Sequence, residues 1–229
     1  MPLEALVWLI VFVVSVTLHE AAHALVAWLG GDPTAYRAGQ VSLNPLPHAR
    51  REPFGMVLLP LISVFSWGFP MGFASTPYDP DWERRYPRRA AWMAAAGPAA
   101  NLLLALVALA GLRAGLAAGW FAAPDQVSFA SLVIADSQFV DNLGRFLSML
   151  LMLNAILCTF NLIPFPPLDG AAVITLLLPA DVSLRVAHAL RSPGLALVGL
   201  LVAWYLFGEV VEPIWNGILR LVHPDVSYG

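Results

Sequence analysis

The stretch ALVWLIVFVVSVTLHEAAHALVAWL, residues 5–29, decides how this chain is read. It is almost unbroken in its apolar character, and it is long enough to cross a bilayer, which takes about 20 apolar residues at ~1.5 Å of rise each. Yet it carries His19, Glu20 and His23. Ionisable side chains at that depth cost on the order of 3 kcal/mol or more each, so they are expected to face a protein interior and to do chemistry there. Their order is H-E-x-x-H. On a helix, positions i and i+4 share a face, so both imidazoles can reach one metal ion while Glu20 reaches a water beside it. The stretch predicts a zinc hydrolase site built within a membrane.

Composition leads to the membrane independently of the motif. The chain is 59% hydrophobic and 12% charged, with a mean hydropathy of +0.73, whereas a soluble domain carries about 25% charged residues. A polytopic protein in a lipid bilayer is expected, all-α because a helix satisfies its own backbone in lipid. Its 229 residues hold several spans and short loops, so a single membrane-embedded domain over 1–229 is the economical organisation. The net charge of −3 offers no footprint for nucleic acid. Cys158, the single cysteine, excludes an intrachain disulfide. Met1-Pro2-Leu3-Glu4 has no basic n-region, so the first apolar run reads as a retained span.

Four runs are long enough to cross: residues 5–29, 90–116, 143–163 and 195–219, the last with a polar outer end carrying Glu209 and Glu212. Residues 54–74 are apolar but broken by Gly55, Pro60, Gly68, Pro70 and Gly72, which suits a re-entrant hairpin or a broken helix. Arg37, Arg50 and Arg51 precede that segment and Arg84, Arg85, Arg88 and Arg89 follow it. By the positive-inside rule both loops belong on the cytoplasmic side of a cell membrane, and the segment enters and returns. Residues 119–142 carry Asp125, Asp136 and Asp141 and no Arg, as suits an outer loop, while Arg185 and Arg191 mark a later inner one. His188 and His223 fall by loops and are expected to be exposed. Residues 38–43 alternate like a short β element near the active site, whose edge could pair with an unwound substrate.

Catalytic zinc takes three protein ligands and leaves a fourth position open. Asp169 is the candidate third ligand. It follows Asn161-Leu162-Ile163-Pro164-Phe165-Pro166-Pro167-Leu168, where prolines end the third run and bring a carboxylate to membrane depth. If residues 54–74 do not cross, runs one and three both point inward, and Asp169 arrives on the same side as the histidines. Charge bias and metal geometry therefore require the same topology.

Three motifs in order, H-E-x-x-H at 19–23, Ala96-Gly97-Pro98-Ala99-Ala100-Asn101, and residues 161–170, make the chain resemble the site-2 proteases, intramembrane zinc metalloproteases. The resemblance implies one zinc per chain on His19, His23 and Asp169, Glu20 as general base, and cleavage of single-span membrane proteins. It also implies that Asn161 seats substrate or the oxyanion, with Asn101 as a second substrate-side candidate. No run is long enough for the family's PDZ or CBS domains, so the minimal form is the one resembled. After Leu43-Asn44-Pro45 the pattern departs: His48 is followed by Ala49-Arg50-Arg51-Glu52, with Glu52 in place of the usual Asp.

Simpler readings stand beside these. Asp169 can cap a short helix that follows it, Asn101 in its small-residue surface can bridge helices, and Asn161 can hold broken backbone. A non-proteolytic zinc-binding protein or metal transporter would need further ionisable stations across the membrane, and the middle runs show none. An inert homologue would be expected to lack Glu20.

Overall fold

The computed structural model describes residues 2–179, 182, 186, 193–226 and 228; Arg185, His188 and Arg191 lie outside them. Helix α1, Pro2–Leu29, has Pro2 and Glu4 in its first turn, which suit an N-terminus, and it stops at Gly30 and Gly31, the latter at φ 99°. Short helices α2, Thr34–Arg37, and α3, Pro45–Arg51, follow. The Asn44 side chain accepts from Leu46 N at the start of α3. A wide turn, Phe54–Leu58, runs into α4, Leu59–Trp67. Then come α5, Pro80–Arg85, α6, Pro87–Ala117, α7, Gln138–Asn161, α8, Gly170–Val173, α9, Pro193–Tyr205, and α10, Phe207–Val222.

Three of these helices, α1, α6 and α7, are long and apolar enough to cross a membrane. Side-chain pairs give their directions. His19 meets Asn101 and His23 meets Met93, so α6 runs antiparallel to α1; Asn101 meets Asn154 and Gly111 lies by Leu147, so α7 reverses again. Their shared core is Trp8, Phe12, Leu112, Met149, Met152 and Leu153. Leu6, Ile10, Leu103 and Leu106 point outward and are exposed. An apolar outer surface around a packed apolar core is what a bilayer, not water, accepts.

The fourth expected span, residues 195–219, is not straight. It forms α9 and α10, bent by 51° at the break. Phe207 packs on Phe160 at a centroid distance of 5.3 Å, while Arg113 Nη1 donates to Val222 O and His223 Nε2 donates to Leu132 O. Helix α10 therefore runs antiparallel to α7, with Glu209 near the end where α7 stops at Asn161 and not at the end beside Leu132, the loop expected to be outer. His223, expected to be exposed, is buried; its ring satisfies the Leu132 carbonyl and meets Tyr228 edge-on.

The proline- and glycine-broken segment is a hairpin of helix and strap. Phe54–Trp67 is about 21 Å long at ~1.5 Å per residue, too short for a ~30 Å core. Gly68 turns the chain at φ 76°, and residues 69–79 return without helix or strand. Met71 N donates to Ser63 Oγ, Phe73 N to Gly55 O, and Ser75 Oγ to Glu52 Oε1. The two ends of the segment thus lie side by side, as a re-entrant element requires. Residues 38–43 are not a strand: the chain turns at Gly39, φ 73°, straight out of α2 and bends into α3. Alternation there reflects Gln40 turning inward to a buried position, with no ladder partner among the described residues.

Candidate metal centre

His19 and His23 lie one helical turn apart on the face of α1 that packs against α6, and both are buried. Their Nε2 atoms are 2.9 Å apart. Asp169 Oδ2 lies 3.2 Å from His19 Nε2 and 3.3 Å from His23 Nε2. The loop after α7 delivers it: Gly170 lets the backbone fold so tightly that any Cβ would strike the carbonyls of Leu162 and Ile163. Asp169 precedes α8, but its side chain makes no capping hydrogen bond. The carboxylate is turned to the histidines instead.

What these atoms present to one another identifies the kind of partner they fit. His23 Nδ1 lies 2.7 Å from Met93 O, and a carbonyl only accepts, so Nδ1 carries the proton and a neutral ring keeps a bare Nε2. His19 Nδ1 likewise faces Asn101 Oδ1 at 2.5 Å. Two lone pairs and a carboxylate therefore converge, and Asp169 Oδ2 is buried with no hydrogen-bond partner. Converging acceptors without a donor call for a cation. The edges of 2.9, 3.2 and 3.3 Å match the ~3.3 Å separation of tetrahedral ligands on bonds of about 2.0–2.1 Å. Gly97 keeps the space open, since a Cβ there would press on both Nε2 atoms. The residues fit zinc.

Glu20 is buried beside this group. Thr76, on the returning strap, donates its hydroxyl to Glu20 Oε2 at 2.8 Å and lies 3.0 Å from Glu20 O. The strap is held further along by Asp32, buried just past α1, which accepts from Asp79 N at 2.8 Å. Nothing in the spacing of Thr76 from Glu20 advertised this pairing; a hydroxyl in a proline-rich segment is too ordinary a signal.

The two asparagines divide. Asn101 is wholly buried, with its amide oxygen on His19 and its amide nitrogen on Asn154 Oδ1 at 2.8 Å. Both polar ends are engaged, so it is placed to hold a histidine and to join α6 to α7, not to touch a substrate. Asn161 ends α7, half-buried, and donates to Leu157 O at 3.0 Å in its own helix. His48 is buried in α3 and donates from Nε2 to Ser42 O. Glu52 accepts from Ser75, which also receives Arg51, on the seam of the hairpin. Ser15 and Asn154, which pair behind the site, went unnoticed in the sequence because isolated polar residues inside spans have no pattern.

Comparison with known proteins agrees with this geometry. The family model described as "Peptidase family M50" matches residues 7–201. The chain is 33% identical over 220 residues to a Bacillus subtilis protein named "Putative zinc metalloprotease YwhC", covering 94% of this chain and 89% of that one. It is 31% identical over 193 residues to "Putative zinc metalloprotease Rip2" of Mycolicibacterium smegmatis, covering 83% of this chain and 64% of that protein. No solved structure matches. The match runs through all three motifs that build the centre, from α1 through α6 to the Asp169 loop, and the chain belongs to peptidase family M50, the site-2 protease family of metalloproteases.

Proposed function

We propose that this chain is an intramembrane zinc metalloprotease that cleaves single-span membrane proteins in or near their transmembrane segments. The observation that carries the reading is the convergence of His19 Nε2, His23 Nε2 and Asp169 Oδ2 without a donor among them, inside the packed helices. These three residues would hold one zinc per chain. When bound, the metal polarises the scissile carbonyl and makes water a nucleophile near neutral pH.

Glu20 is the general base. Its Oε2, steadied by the Thr76 hydroxyl, takes a proton from the attacking water and passes it to the leaving amine. Asn101 and Met93 hold the imidazoles by their Nδ1 edges, and Asn161 remains the candidate for seating substrate. A helical substrate hides its peptide bonds in its own hydrogen bonds, so it must unwind locally and find new backbone partners. The strap beside Glu20, which is in neither helix nor strand over residues 69–79, is the candidate to supply them in place of residues 38–43. The Arg-bearing loops on both sides of the hairpin support a site open toward the cytoplasmic face of the cell membrane, the prokaryotic plasma membrane in our reading. A transport path would need a further station; among the described residues the three ligands form the single group of metal-capable side chains.

Purified protein should contain one zinc and cleave a model single-span substrate, and Glu20→Gln should keep the zinc but lose the cleavage. Zinc retained after His19→Ala, His23→Ala and Asp169→Ala are combined would overturn the site. Wild-type turnover by Glu20→Gln would overturn the mechanism.

A further inference from the structure

A chain of hydrogen bonds leads from His19 through α6 and α7 and back to α1 one turn before the histidine. Asn101 Oδ1 faces His19 Nδ1, Asn101 Nδ2 donates to Asn154 Oδ1, and Asn154 Nδ2 donates to Ser15 Oγ at 2.8 Å and to Leu150 O at 2.8 Å. Ser15, Asn101 and Asn154 are each 0% exposed, so no water competes for these groups. An asparagine amide has a donor end and an acceptor end, and nothing within Asn101 decides which one meets the histidine. Leu150 O decides it. A backbone carbonyl only accepts, so the Asn154 amide must turn its NH2 toward Leu150 and its oxygen toward Asn101. Asn101 must then turn its own NH2 toward Asn154 and its oxygen toward His19. The imidazole is left to donate from Nδ1 and to present a bare Nε2.

We propose that Asn154 is a positioning residue for the metal centre: it reads the polarity of the Leu150 carbonyl and sets, through Asn101, the tautomer and ring orientation of His19. The proposal rests on the zinc reading for its functional weight, but the hydrogen-bond chain stands apart from it. His23 is an internal control, because its Nδ1 is held by Met93 O and is independent of Asn154.

The test pairs Asn154→Leu, which keeps the number and branching of the side-chain heavy atoms and removes both polar ends, with Ser15→Ala, which leaves the Leu150 carbonyl in place. Two readouts are taken in detergent. One is zinc affinity by competition with a chelator; the other is the 15N–1H signal of the histidine Nδ1–H groups, assigned by substitution, which is present with or without metal. Asn154→Leu should weaken zinc binding about 10- to 100-fold, as loss of a group behind a metal ligand does, and should shift or broaden the His19 Nδ1–H signal while that of His23 stays in place. Ser15→Ala should stay near wild type in both. If Asn154→Leu does not fold, Asn154→Ala carries the same comparison. A His19 signal or a zinc affinity unchanged in the Asn154 variant overturns the proposal, and so does an equal change at His23, which would mean general loosening. Failure of the zinc reading shows separately, as wild-type protein that takes up no zinc while its His19 signal still answers to Asn154.

Discussion

Gly97→Ala adds one methyl group to α6 at the place where that helix crosses the two imidazoles. A Cβ built there would lie 2.5 Å from His19 Nε2 and 2.6 Å from His19 Cε1, and nearer still to His23 Nε2. Ordinary contact begins at 3.4 Å, so the ring or the helix must retreat by about 0.8 Å or more, and the ring cannot do so without leaving the ligand position. Forcing a methyl into a packed site costs about 1–3 kcal/mol. At ~1.4 kcal/mol per tenfold, that weakens zinc binding roughly 5- to 150-fold. Gly111→Ala on the same helix is the control: its Cβ meets only the flexible tip of Leu147, at 3.2 Å. Both substitutions improve helix propensity by about 1 kcal/mol, which offsets part of the packing cost at Gly97, so thermal stability is measured beside zinc affinity and the difference between the two variants isolates the site. Chelator competition and cleavage of a single-span substrate should show loss for Gly97→Ala and near-wild-type values for Gly111→Ala. Equal zinc affinity in both variants would refute the claim that α6 shapes the metal cradle at Gly97.

Thr76→Val removes the hydroxyl on Glu20; a hydrogen bond to a charged group contributes about 1.5–3 kcal/mol, so kcat should drop tenfold or more while KM and zinc content hold, and Thr76→Ser should restore it. A fall in KM-dependent binding alone would assign Thr76 to substrate instead. In a Cys158→Ala background, cysteines at exposed Leu43 and Asp81 should label from the same side of the membrane and one at Gln126 from the other; opposite labelling of the first two would mean that the hairpin crosses. Substrate spans with a Gly-Pro or Asn-Gly break should be cut faster than a Leu-rich span of equal length, since the break lowers the cost of unwinding; equal rates would show that unwinding does not limit cleavage.

The sequence by itself determined the three spans and marked the candidate ligands, because both follow from local rules. Hydropathy over some 20 residues marks a span whatever surrounds it, and the i, i+4 spacing fixes His19 and His23 on one face before any packing occurs. Asp169 was legible because a carboxylate among prolines and apolar residues has few other uses. Tertiary structure alone decided the rest. That residues 54–79 form a helix with a returning strap depends on Ser63, Gly55 and Glu52 catching Met71, Phe73 and Ser75 from across the turn. The break before Phe207 comes where Phe207 meets Phe160, a contact that no window along the chain contains. Gly97, legible only as a small residue, became the roof of the cradle, and Asn101 turned from a substrate-side candidate into the holder of His19. Asn154 and Ser15 are 139 residues apart and carry no motif. Their role exists only once three helices bury them together, where an unpaired polar group is too costly to leave and each amide must face the one direction that satisfies it.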